Sequence, residues 1–199
     1  MLIKEITDPH VLNKLDVEPD DLRHDLYRPA LERYSYSSRE ISNLLHRMYK
    51  KQPFDPANLN YFKDDILMLD DIMFNHPIKQ NITVYHGLIE NPMRIWRKYN
   101  VPKNKSVTVH FPGFISTSTR IEVPSYFTGY DLGEHSILII DVPAGTPGLS
   151  IKDISAMPGE DEILLSRGLD IRIYPNPKLE GHTLYWRAKV VGVNPSEIH

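Results

Sequence analysis

Pro158-Gly-Glu-Asp-Glu-Ile-Leu-Leu-Ser-Arg167 decides how the rest of the chain is read. A Pro-Gly turn feeds three acidic residues, and these open an apolar run. On a β-strand, side chains at i and i+2 leave the same face. The spacing therefore predicts that Glu160 and Glu162 project into one space while Asp161 points away. Two carboxylates on a rigid strand suit a metal ion, or a bond that breaks with developing positive charge. No His or Asp stands at convincing ligand spacing beside them, so a metal is not expected. The plain alternative is a solvated strand entrance, where acidic residues are common.

Outward from that strand the chain divides by period. Residues 1–80 read mainly helical and residues 81–199 mainly β. Residues 1–25 are acid-rich and weakly patterned. A short helix is expected over 29–34, with Pro29 at its first position. Ser37 and Glu40 have the spacing of a capping box, and Ile41, Leu44, Leu45 and Met48 follow on one helical face. Pro53 and Pro56 interrupt that pattern. A second helix is expected over 59–74, with Phe62, Ile66, Leu69 and Met73 as its stripe, and His76-Pro77 ends it. Strands are expected at 82–85, 107–111, 114–118, 136–142, 162–166, 170–174 and 183–193, with a short helix over 92–99. Helices followed by short strands between Gly and Pro turns give an α+β class. With no Gly/Ser linker and no repeat, 1–199 is read as a single domain.

Composition narrows function by exclusion. The chain has 199 residues, 41% hydrophobic, enough for a sizeable core. It has no cysteine, which removes disulfides, thiol catalysis and cysteine-ligated zinc. A net charge of −3 argues for neither a nucleic-acid binder nor an acidic tail. No apolar stretch reaches the length of a membrane span. The start lacks the basic-then-apolar layout of a signal peptide, so the expected location is cytoplasmic, or that of an effector delivered without one. One local cluster, Arg94, Arg97, Lys98, Lys103 and Lys105 with Trp96 and Tyr99, could contact nucleic acid or an acidic protein surface. A helix with a solvated basic face is the simpler reading.

Three pieces stand in chain order: Tyr85-His86-Gly87, then Phe114-Ile-Ser-Thr-Ser118, then Glu160-Asp-Glu162. Together they resemble the mono-ADP-ribosyltransferase toxin family, in particular the actin-modifying binary toxins and the clostridial Rho-modifying exoenzymes. Its pattern is aromatic-Arg-Gly, then Ser-Thr-Ser, then Glu/Gln-x-Glu. The flanks Ala30 to Leu45, Asp70 through Pro77 to Gly87, and Asp141-Val-Pro-Ala-Gly-Thr-Pro-Gly-Leu149 are similar as well. The resemblance covers roughly residues 29 to 175 and implies the family's fold. In that fold, N-terminal helices pack on two mainly antiparallel sheets, a mixed sandwich with an NAD cleft.

It also implies an activity: transfer of ADP-ribose from NAD, as co-substrate, to a target macromolecule, with release of nicotinamide. The nicotinamide–ribose bond breaks through an oxocarbenium-like state, as glycosidic bonds do. The resemblance gives Glu162 the stabilising carboxylate, hydrogen-bonded to the ribose 2′-hydroxyl. Ser116 would hold Glu162, and Glu160 would align the acceptor. In the family, Glu at this position accompanies arginine acceptors and Gln asparagine acceptors, so a protein arginine is expected here. Tyr85, His86, Gly87, Thr117, Ser118 and Phe127 would line the cofactor, with Met157 on the loop that meets the acceptor. The chain departs from the pattern where His86 stands for Arg. Further departures are His46 at an Arg position, with Arg47 adjacent, and Tyr130 where a phosphate-contacting Arg is usual, with Arg120 upstream. Fewer arginines at the phosphates imply weaker, more pH-dependent NAD binding. The competing readings are another acceptor such as a nucleic-acid base, an NAD glycohydrolase, and a degenerate binding module without transferase activity. The chain is expected to be monomeric.

Overall fold

The structure, a computed structural model, describes residues 27–88, 92–98, 100–123, 135–151, 154 and 161–198, without the side chains of Ile95 and His135. The elements are α1 (Arg28–Tyr49), α2 (Pro56–Asn75), β1 (Ile82–Leu88), α3 (Met93–Lys98), β2 (Val107–Phe111) and β3 (Ile115–Ser118). They continue as β4 (His135–Val142), β5 (Gly148–Ser150), β6 (Glu162–Leu165), β7 (Leu169–Ile173), β8 (Lys178–Glu180) and β9 (Thr183–Val193). The α+β class is as expected. No described helix is long and apolar enough to cross a membrane.

The two helices expected around Ser37 are one, α1, bent there. Ser37 has φ −118° and ψ 20°, outside the helical range. The run Ser35-Tyr36-Ser37-Ser38 explains the bend, because serine hydroxyls compete with the backbone ladder and lower helix propensity. The serine expected to cap thus marks a kink. α2 begins three residues before its expected start. Pro56 supplies a pre-set φ at its first turn, and the Asp55 carboxylate accepts from the Ala57 N–H at 2.9 Å. Strands β5 and β8 were not expected; each is only three residues long, too short for alternation to register.

The nine described strands hydrogen-bond in the order β2-β7-β9-β4-β1-β3-β6-β5, with β8 added to β9. β4 and β9 run parallel and the other pairs antiparallel. The two mainly antiparallel sheets of the expectation are joined into one continuous ladder. It is uneven, however. β1 joins β4 through seven residue pairs, from Ile82↔Val142 to Leu88↔Ser136, but meets β3 at the pair Tyr85↔Ser118. The sheet therefore has a narrow seam between its β1 side and its β3-β6-β5 side.

Two buried cores pack against the ladder. Val84, Leu138, Ile140, Leu169, Ile171 and Trp186 belong to one buried cluster, with Trp96 stacked on Trp186 at 5.4 Å. Leu31, Tyr34, Ile41, Leu45, Ile66 and Leu69 of the helices meet Phe114, Leu149, Ile151 and Leu164 in another. Alternation along β6 divides it between them, Ile163 and Leu165 facing one and Leu164 the other. α1 is thereby laid against β3 and β6, next to the seam. After β6, Gly168 turns the chain with φ +75°, and a Cβ there would lie 2.4 Å from Pro195. Only glycine meets both demands.

Candidate functional site

The seam collects Tyr85, His86, Ser116, Ser118 and Glu162 of the residues singled out in the sequence. Tyr85 pairs with Ser118, and Ser118 with Glu162, so these three form one row across β1, β3 and β6. Directly opposed residues share a face of a sheet. Tyr85, Ser118 and Glu162 are all buried, the Glu162 residue retaining 8% of its surface. Ser116 lies two residues from Ser118, on the same face, and is exposed. Its direct partner is Leu164, which makes it a diagonal neighbour of Glu162. The serine opposite Glu162 is Ser118, whose Oγ accepts from the Arg120 N–H at 3.0 Å.

Thr117 is placed differently from the expectation. Strand alternation turns it to the other face, where it is buried and its hydroxyl donates to the Ile163 carbonyl at 2.6 Å. It fastens β3 to β6 and does not line the row.

Asp161 breaks the strand spacing expected between Glu160 and Glu162. β6 starts at Glu162, and Asp161 has φ +45°, the left-handed region. An i, i+2 relation holds only when the intervening residue is extended. Asp161 is a turn position through which the chain enters β6, its carbonyl accepting from Thr119 at 3.4 Å. Glu160 itself, with Phe127, Tyr130, Met157 and Tyr99, lies outside the described residues.

His86 stands where β1 and β3 part. Its Nδ1 lies 2.8 Å from the Ser116 carbonyl oxygen. A carbonyl only accepts, so Nδ1 carries the proton and donates. With the next ladder pair absent, the imidazole occupies a backbone acceptor of β3. Burial lowers the His86 pKa, and the Ser116 bond partly opposes this. The neutral ring then presents Nε2 as an acceptor. Phe111 meets the ring edge-on, with centroids 6.4 Å apart. Gly87 follows within the ladder, opposite Ile137.

The cationic candidates are engaged. Arg47 donates from Nη1 to the Pro53 carbonyl at 2.9 Å, tying it to the loop after α1. Arg120 pairs with Glu122, Nη2 to Oε1 at 2.6 Å. Glu122's carboxyl is held low by its own backbone N–H and then by Arg120. His46, in the last turn of α1, donates from Nδ1 to the Ser42 carbonyl at 3.1 Å. Burial lowers its pKa; the Ser42 bond opposes, and Lys50 and His110 add to the lowering. Of the basic-aromatic cluster, Arg94, Arg97, Lys98, Lys103 and Lys105 are exposed. Trp96 is 2% exposed and donates to the Lys105 carbonyl, so it is a core residue.

One residue of the site escaped the sequence reading. Tyr34, on α1, is 2% exposed, and its hydroxyl lies 3.4 Å from Ser116 Oγ. Its ring meets Phe114 edge-on at 5.6 Å. Burial raises its pKa, the Ser116 bond opposes this, and the Glu162 charge adds to the rise. A signal existed: Leu31 and Tyr34 lie one helical turn apart, and a tyrosine within an apolar stripe needs a partner for its hydroxyl.

The seam thus offers a buried carboxylate at Glu162, an exposed hydroxyl at Ser116 and an imidazole acceptor at His86, groups that suit the hydroxyls of a ribose. Residues 25–190 match the family model of the ADP-ribosyltransferase exoenzymes. An ADP-ribosyltransferase from Clostridium botulinum superimposes with a TM-score of 0.66 at 18% identity, over 96% of this chain and 99% of that one. The exoenzyme of Clostridium limosum gives 0.69 at 17%, over 96% and 98%. ADP-ribosyltransferase Vis, in complex with agmatine, gives 0.56 at 18%, over 83% and 74%. No curated protein matches the chain by sequence search.

Proposed function

The chain belongs to the ADP-ribosyltransferase exoenzyme family and is an NAD-dependent ADP-ribosyltransferase, and from that premise we propose that its acceptor is an arginine of a target protein. Nicotinamide is the leaving group in this reading. The observation that carries it is the row Tyr85–Ser118–Glu162, which fixes one buried carboxylate beside Ser116.

As the nicotinamide–ribose bond breaks, its electron pair leaves with nicotinamide and positive charge spreads over the ribose. A fixed carboxylate at Glu162 stabilises that charge more than it stabilises the neutral sugar. His86 accepts a ribose hydroxyl at Nε2, because its Nδ1–H is committed to Ser116. An arginine nitrogen then bonds to the anomeric carbon and loses a proton, which Glu160 receives.

Arginine is supported by glutamate at position 160, where the family's asparagine-directed members carry Gln. It is supported too by Vis, whose ligand agmatine carries the guanidinium that arginine carries. A nucleic-acid acceptor has less support now that Trp96 is buried in the core and cannot stack on a base. The same reading makes the chain an effector that acts on a protein of a target cell.

Labelled NAD, incubated with the protein and either a cell lysate or agmatine, tests the assignment. The wild type should label protein and form an agmatine adduct. Glu162→Gln should lose both adduct and nicotinamide release by on the order of 100-fold or more. Glu160→Gln should lose the adduct while still releasing some nicotinamide. Adduct formed by Glu162→Gln at the wild-type rate would remove the assignment, and label confined to RNA or DNA would replace the acceptor.

A further inference from the structure

We propose that Tyr34 is a positioning residue for bond cleavage: its buried hydroxyl donates to Ser116 Oγ, so that the single Ser116 proton is directed to Glu162. The inference rests on Glu162 being the bond-breaking carboxylate.

A serine hydroxyl has one proton to give and two lone pairs to accept with. Ser116 is exposed at the seam, where its hydroxyl would rotate among its staggered positions without a neighbour to fix it. Tyr34 Oη at 3.4 Å is such a neighbour, reaching Ser116 from α1 beneath the row. If Ser116 gave its proton to Tyr34, it would have none left for Glu162. If Tyr34 gives, Ser116 accepts and its own proton is free to face the carboxylate. The phenol has every reason to stay protonated, since it is 2% exposed and lies within the field of the Glu162 charge. Glu162 is on the same face, one diagonal step from Ser116 across the β3–β6 pair, a span a long side chain covers. The order is therefore Tyr34 O–H to Ser116 O–H to the Glu162 carboxylate.

The kink gives this arrangement a local origin. Tyr34 lies in the turn just before Ser37, where α1 leaves helical geometry. The phenol ring is wedged against Phe114, the residue that leads into β3. The same packing that buries the ring sets its hydroxyl at the start of the Ser116-Thr117-Ser118 strand.

Tyr34→Phe removes one oxygen and keeps the ring. Nicotinamide release is measured for the wild type, Tyr34→Phe, Ser116→Ala, the double variant and Glu162→Gln, with thermal melting of each. Tyr34→Phe should melt as the wild type does, bind NAD with unchanged KM, and lose about three- to tenfold in kcat, the scale of one neutral hydrogen bond. The acid limb of its pH profile should move to higher pH, because a carboxylate that loses a donor protonates more readily. In the Ser116→Ala background the same change should have little further effect, since a residue acting through another is silent once that other is gone. An unchanged kcat for Tyr34→Phe, or a full independent loss in the Ser116→Ala background, overturns the inference and leaves the role of Glu162 standing. Activity retained by Glu162→Gln overturns both.

Discussion

An imidazole can serve a nucleotide as donor or as acceptor, and the ring nitrogen already engaged decides which. In His86 and His46 alike, Nδ1 donates to a backbone carbonyl, of Ser116 and Ser42. The neutral rings therefore show only a lone pair at Nε2, which suits a sugar hydroxyl and repels a phosphate oxygen. His46 can assist a phosphate only once protonated. Its pKa is lowered from the usual 6.5 by burial, with Lys50 just past the end of its helix and His110 on β2 adding to the effect. The charged form therefore appears only as pH falls below that value. NAD affinity, measured by titration, should be flat above pH 6.5 and tighten several-fold below it in low salt. His46→Ala should lose the acid tightening, while His86→Ala should keep it. Tightening that survives in His46→Ala would take His46 off the phosphate side.

At the scale of the element, β6 depends on the residue before it. Asp161 holds φ +45°, and Glu162 follows as the first residue of the strand. Asp tolerates the left-handed region; a β-branched residue does not. Asp161→Gly should therefore leave kcat and stability near the wild type. Asp161→Val should cost about 1–3 kcal/mol of stability by denaturant melting and lower kcat by displacing Glu162. Equal behaviour of the two variants would show that the turn does not position the carboxylate. The turn was not legible in the sequence because the i, i+2 spacing of the glutamates reads as strand when taken alone. The strands themselves were more legible. Seven of the nine described strands were expected within one or two residues at most boundaries, because apolar alternation marks a half-buried face; β1 continues three residues beyond its expected end.

At the scale of the molecule, the site strand is locked to the helices and to the chain end by one buried cation. Arg167, 4% exposed, donates from Nε and Nη2 to the Asp70 carboxylate of α2 and from Nη1 to the Ser196 carbonyl at 2.6 Å. Burial raises the Asp70 pKa while Arg167 opposes it. Removing one partner of such a pair strands a buried charge, so Asp70→Ala should cost about 3–5 kcal/mol in denaturant unfolding. A loss under about 1 kcal/mol would mean that water reaches the guanidinium.

The sequence by itself determined the class of the fold, the order of the motifs and the family, because periodicity and motif spacing are local properties of the chain. Tertiary structure alone decided which of those residues meet. The β1–β3 register places Tyr85 beside Ser118, and the β3–β6 register places Ser118, and not Ser116, directly across from Glu162. Packing of α1 brought Tyr34 to Ser116 across 82 positions of chain; the local stripe signalled that its hydroxyl needs a partner, but not which one. The narrow seam, the carbonyl bond of His86 and the turning of Thr117 to the other face are consequences of pairing between distant strands. Residue type set what each group can do; register and burial set to whom.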